Sequence, residues 1–182
     1  MKKSFFVLPL ALILCFTVGC QDKESMAELE EFRAQAEVEE QNKALIKQYF
    51  VELDKGVVED IDSFADKYMS PECIWHFPGG IKISGIQAIK EYIVGTNEAF
   101  PDMVHRIDDI FAEGEKVAYR MTAQGTHKKE FAGIQPTGIE ITATSEGIYR
   151  IRDGKIVELW FEGDSLSLMQ QLGMELKPKE EK

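Results

Sequence analysis

Two hydrophobic periods divide the chain. From Ala44 to Ile93 apolar residues recur at steps of three and four, the period of an amphipathic helix. Ala44, Leu45, Ile46, Tyr49, Phe50 and Leu53 predict one helix, stopped at Gly56. Val58, Ile61, Phe64, Ala65 and Tyr68 predict a second, shorter one, broken at Ser70-Pro71. Cys73-Ile74-Trp75-His76-Phe77 reads as a short strand closed by Pro78-Gly79-Gly80. Ser84 then opens a third helix, with Gln87 completing a capping box and Ile86, Ile89, Tyr92 and Ile93 facing inward.

From Val104 onward the period falls to two. Val117, Tyr119, Met121 and Ala123 alternate with Ala118, Arg120, Thr122 and Gln124. Ile139, Ile141, Ala143, Ser145, Gly147, Tyr149 and Ile151 form the next stripe, and Asp153-Gly154 signals a type I′ hairpin. The last strand sets Val157, Leu159 and Phe161 on one face and Ile156, Glu158, Trp160 and Glu162 on the other. Asp164 caps a closing helix that ends at Gly173. Helices followed by clustered strands predict an α+β fold, with helices on one face of a curved antiparallel sheet and a cavity between.

Composition and charge narrow the function. Lys and Arg number 21, Asp and Glu 32, and the net charge is -11. Nucleic acid is not expected as a partner, because its binding rests on basic side chains that neutralise phosphates. The N-terminus reads as an export signal: Lys2 and Lys3, then an apolar run from Phe5 to Phe16, too short to span a bilayer as a helix. Residues 21–42 hold eight acidic and two basic residues and no Gly or Pro, and suit a polar helix. The expected organisation is a signal over 1–19, an acidic helical tether over 20–41, one domain over 42–173 and a charged tail over 174–182.

Thr17-Val18-Gly19-Cys20 resembles a bacterial lipobox, which implies a lipid on Cys20 and a membrane anchor. With Gln21 after that cysteine, the resemblance implies an envelope protein at the outer membrane, facing the periplasm. A second resemblance covers the domain. Gly125-Thr126-His127 and Glu130-Phe131-Ala132-Gly133-Ile134-Gln135-Pro136-Thr137-Gly138 closely resemble the signature of SnoaL-like polyketide cyclases, also called ester cyclases, of the NTF2-like superfamily. Phe100-Pro101-Asp102, Asp153-Gly154-Lys155-Ile156-Val157-Glu158 with Trp160, and Gln170-Gln171-Leu172-Gly173 agree with it in order. The resemblance implies an NTF2-like cone, a curved antiparallel sheet with three helices on its concave face. It also implies dimerisation through the sheet, and chemistry without metal or cofactor. The family's cyclases close a ring by intramolecular aldol condensation, with an aspartate on the last strand assisted by a histidine on the strand before. Those positions fall here on Phe161 and Gly147, which transfer no protons.

The remaining chemistry is sparse. His76, among aromatics on the first strand, is the candidate base, although alternation sets it opposite Trp75 and Phe77. His127 is expected to order the loop after its strand, and His105 to be exposed. No metal-ligand spacing joins the histidines, and Cys73 reads as a small buried hydrophobe. Tyr49, Trp75, Tyr92, Tyr119, Met121, Tyr149, Leu159 and Phe161 are the candidate ligand-pocket residues. Three functions stay open: a membrane-anchored domain binding a small apolar or aromatic molecule, a cofactor-independent cyclase, isomerase or hydrolase using other pocket residues, and an envelope interaction module.

Overall fold

The structure is a computed structural model that describes residues 8–175 and 177, with side chains from Lys23 onward. The chain divides into two units, residues 1–38 and 39–182. Helix α1, Leu8–Leu53, runs through the boundary. No glycine or proline interrupts residues 20–55, in keeping with the helical state of these residues. In the first unit Met26, Leu29 and Phe32 are exposed, which fits their thin apolar stripe. The signal and lipobox side chains lie outside the described residues, as does most of the charged tail. Among the described residues, no helix is long and apolar enough to cross a membrane.

The second unit has the α+β architecture expected. After α1 come α2 (Ile61–Tyr68), β1 (Met69–Phe77), β2 (Ile81–Ser84) and α3 (Ile86–Ala99). Strands β3 (Val104–Glu113), β4 (Lys116–Thr126), β5 (Glu140–Arg152) and β6 (Lys155–Gly163) follow, and α4 (Ser165–Gln171) closes the domain. The sheet order is β2-β1-β6-β5-β4-β3. All neighbours are antiparallel except β1 and β6, which run parallel, so the sheet is mixed rather than wholly antiparallel. Long-range pairing of this kind leaves no signal in local periodicity.

One core packs between sheet and helices and leaves a cavity within it. Ile46, Tyr49 and Phe50 of α1, Phe64 and Tyr68 of α2, and Ile89 and Ile93 of α3 pack on Trp75, Val117, Tyr149 and Leu159 of the sheet. A smaller cluster of Phe100, Ile141 and Leu172 closes one end. At the edge, Asn42 Nδ2 donates to the Gly114 carbonyl at 2.9 Å, and Gly114 N–H donates to Glu39 at 3.0 Å. These bonds tie α1 to the β3–β4 turn.

Three local expectations are corrected. The first concerns α3: its N-cap is Gly85, at φ 86°, and no side-chain cap bond forms. Ser84 ends β2 instead, so the capping box from Ser84 to Gln87 does not exist. The second is β6, where Ile156 is fully buried although alternation put it outside. Arg150 pairs with Glu158 but Ile151 pairs with Ile156, so Val157 is an extra residue. That bulge reverses the parity, and Ile156 and Leu159 both face the core. The third is His105, which is largely buried and not exposed. The hairpin at Asp153-Gly154 forms as expected, with φ of 49° and 69°.

Candidate functional site

A cavity of about 510 Å³ lies between the sheet and the helices. Alternation on the strands and the inward stripes of α1 and α3 build its walls. The structure brings Tyr49, Trp75, Tyr92, Tyr119, Met121, Tyr149, Leu159 and Phe161 together around it. Trp75 and Leu159 are register partners on β1 and β6, and Phe161 packs on Phe77 with ring centroids 5.5 Å apart. Tyr119 stacks on Tyr149 at 5.3 Å. Burial pushes the phenols of Tyr49, Tyr119 and Tyr149 up from their ordinary range. They stay neutral at physiological pH, so they offer hydrogen bonds and not charge.

The two positions that the resemblance matches to the family's acid/base pair lie side by side. Gly147 and Phe161 are register partners on β5 and β6. A Cβ on Gly147 would stand 2.9 Å from the Tyr119 hydroxyl and 2.5 Å from the Trp160 carbonyl oxygen. The Tyr119 ring therefore lies where a side chain at 147 would go. This wall is built without a proton-transfer group at either position.

His76 is not among the residues lining the cavity. It lies on the opposite sheet face, with Nε2 2.8 Å from Glu158 Oε1. Its ring stacks on Trp160 at 5.5 Å and an interplanar angle of 7°. Arg150 donates to Glu158 Oε2 at 2.7 Å and lies over the Trp160 ring. His127 is fully buried and stacks on Phe100. Its Nδ1 accepts the Thr137 backbone N–H at 3.3 Å, and its own N–H and carbonyl bind Ile139 and Gly138. It orders the loop after β4. Cys73 is buried, and burial raises its thiol to about 11.

Of the other polar residues lining the cavity, two carry a carboxylate or an imidazole. Asp164 stands at the mouth beside Thr144 and Ser145. It is exposed, and its carboxylate accepts from Ser167 N–H at 2.9 Å, the capping role expected. His105 is the second. It shares the inward parity of Ile107 and pairs in register with Ala123, another cavity residue. Its Nδ1 lies 2.5 Å from Asp54 Oδ1, and its backbone N–H donates to Asp54 Oδ2 at 2.9 Å. The imidazole packs on Phe50 at 5.3 Å. It also borders a shallower groove between α1 and β3. The apolar Ile107 two residues on was the available sign that His105 points inward.

Comparison with known proteins sets this geometry in a family. The model of the SnoaL-like polyketide cyclases matches residues 43–172. No curated protein matches the chain. Among solved structures, IdmH from Streptomyces antibioticus, assigned as a polyketide cyclase, is 30% identical with a TM-score of 0.61. The match covers 73% of this chain and 99% of that one. AclR from Streptomyces galilaeus, assigned as a hydroxylase, is 29% identical with a TM-score of 0.64, over 76% of this chain and 97% of that one. A protein from Jannaschia sp. CCS1 assigned as a SnoaL-like polyketide cyclase has a TM-score of 0.68 at 20% identity. It covers 76% of this chain and 96% of that chain, and at this identity the likeness is one of fold. With the family model spanning every residue that lines the cavity, the chain belongs to the SnoaL-like polyketide cyclase family.

Proposed function

We propose that the domain binds a small apolar or aromatic molecule in the cavity between sheet and helices. The observation that carries this reading is the cavity itself. About 510 Å³ is in the range of small-molecule sites, and its walls are aromatic and aliphatic. Neutral phenols supply hydrogen bonds for orientation, while the family's acid/base positions hold Phe161 and Gly147. Titration calorimetry of the full chain with 2-naphthol, a two-ring aromatic with one hydroxyl, tests it. Saturable binding is expected, and loss of binding in Ala143→Trp, which fills the cavity, with the fold retained by circular dichroism. An unsaturable or absent heat with the wild-type chain sinks the reading.

We also propose that a lipid on Cys20 holds the chain at a bacterial envelope membrane, on the periplasmic side of the outer membrane. Lys2, Lys3, the apolar run and the small residues before Cys20 support it. Metabolic palmitate labelling of the wild type, lost in Cys20→Ser, is the expected result. An unlabelled wild-type chain refutes the anchor.

A homodimer through the sheet has one specific support. Phe111, Ala118, Ile148 and Trp160 stand in register on adjacent strands and form an apolar row across the outer face. Phe111 and Ile148 are exposed. Sedimentation should show a dimer that Ile148→Glu dissociates; a monomeric wild type removes this reading.

A further inference from the structure

We propose that His105, oriented by Asp54, is a proton-accepting group of the cavity, able to deprotonate an aromatic carbon acid bound there. The inference rests on the reading that the cavity takes an apolar aromatic molecule. It adds a catalytic role at a place in the wall remote in sequence from Phe161 and Gly147.

Three features argue for it. First, position: His105 is the second residue of β3, with its side chain on the cavity side, in register with Ala123. Second, orientation: the Asp54 carboxylate binds the residue twice, at Nδ1 and at the backbone N–H. Two bonds to one carboxylate fix both the main chain and the ring. Third, tautomer: an ionised carboxylate only accepts, so the ring proton sits on Nδ1 and the lone pair on Nε2. Nε2 is the nitrogen that Asp54 leaves unengaged. A histidine held this way by a carboxylate is arranged as a general base. The neutral phenols in the same cavity could donate to an oxyanion, so acceptor and donors share one apolar space.

The probe is 5-nitrobenzisoxazole, an apolar aromatic whose reaction needs only a base. Nε2 takes the ring C–H proton. The C–H electron pair becomes the third bond of a nitrile as the N–O bond breaks, and the oxygen leaves as a coloured cyano-nitrophenolate. The imidazolium then returns its proton to solvent. No oxidant, reductant or second substrate is consumed.

With the full chain, saturable turnover above that of an equal concentration of free imidazole is expected. His105→Gln and His105→Ala should lower kcat at least about tenfold, by the usual size of general-base effects. Added imidazole should restore rate to His105→Ala, which a merely structural histidine would not allow. Asp54 is a positioning residue: Asp54→Asn should lower kcat about tenfold or more while KM stays within about threefold, because the wrong tautomer is then accessible. Binding of 2-naphthol should persist in Asp54→Asn and His105→Gln, which also shows that both fold. Turnover no better than free imidazole, or unchanged in both histidine variants, overturns the proposal. If 2-naphthol still binds in that case, the binding reading stands and only the base is lost; if 2-naphthol never binds, the binding reading falls on its own evidence.

Discussion

The Tyr119 hydroxyl lies 2.9 Å from where a Cβ on Gly147 would stand, so the phenol occupies the place of a side chain at that position. The two residues are register partners on β4 and β5, and the arrangement is possible only because position 147 carries hydrogen. The Trp160 carbonyl oxygen, at 2.5 Å, is backbone and cannot swing away. Gly147→Ala should therefore destabilise the domain by about 3 kcal/mol, the upper part of the usual range for overpacking. Denaturant unfolding measures it. Gly147→His carries the same clash, so restoring the family's histidine is not expected to restore proton transfer. An alanine variant as stable as the wild type would show that the Tyr119 ring moves freely.

His76 answers to the outer face. Its substitution by alanine removes the 2.8 Å bond to Glu158 and the stack on Trp160, but Arg150 still pairs with Glu158. The expected cost is about 1 kcal/mol, the net worth of one hydrogen bond. Affinity for 2-naphthol should stay within about threefold by calorimetry. A much larger loss of affinity would mean that the outer cluster shapes the cavity.

Acid stability follows from three carboxylates. The Lys67 ammonium beside Glu52 holds its carboxyl down at about 2. The Thr126 backbone N–H, and then its hydroxyl, lower Asp102; the Thr122 hydroxyl, and then Arg106, lower Asp108. A carboxylate lowered in the folded state stabilises it fully above its unfolded value. That stability is lost as pH falls from about 4, the unfolded range, through the lower folded values. Thermal unfolding followed from pH 6 to pH 2 should show a steady fall below pH 4. Asp102→Asn should flatten part of that slope; an unchanged slope would mean that its bonds to Thr126 do not persist in solution.

Cys73 should be inert. Its thiol is buried and pushed up to about 11, so little thiolate exists at pH 8. In a chain carrying Cys15→Ser and Cys20→Ser, a disulfide reagent should react with Cys73 only on unfolding. Fast reaction in buffer would show that the core around Trp75 opens.

Local periodicity made much of this wall legible. Tyr119 and Met121 on β4, Tyr149 on β5, and Leu159 and Phe161 on β6 share the parity that turns toward the helices. Tyr49 and Tyr92 came from helical stripes by the same reasoning. The turn at Asp153-Gly154 and the Asp164 cap were equally local, because each is chemistry within four residues.

What the sequence determined by itself was the class of every element but β2, which it did not read as a strand, the inward side of most strands, the residues Phe161 and Gly147 at the positions that the resemblance matches to the acid/base pair, and the family. These depend on neighbours within one helical turn or two strand positions, or on residues read in order. Tertiary structure decided the rest. The parallel pairing of β1 with β6 and the bulge at Val157 arise from contacts between distant strands, and the bulge turned Ile156 inward against its parity. The meeting of Asp54 with His105, 51 residues apart, is of the same kind. Neither residue carries a local mark of the other, because a hydrogen bond across a fold is set by where the backbone brings two elements together, and that is a property of the packed chain.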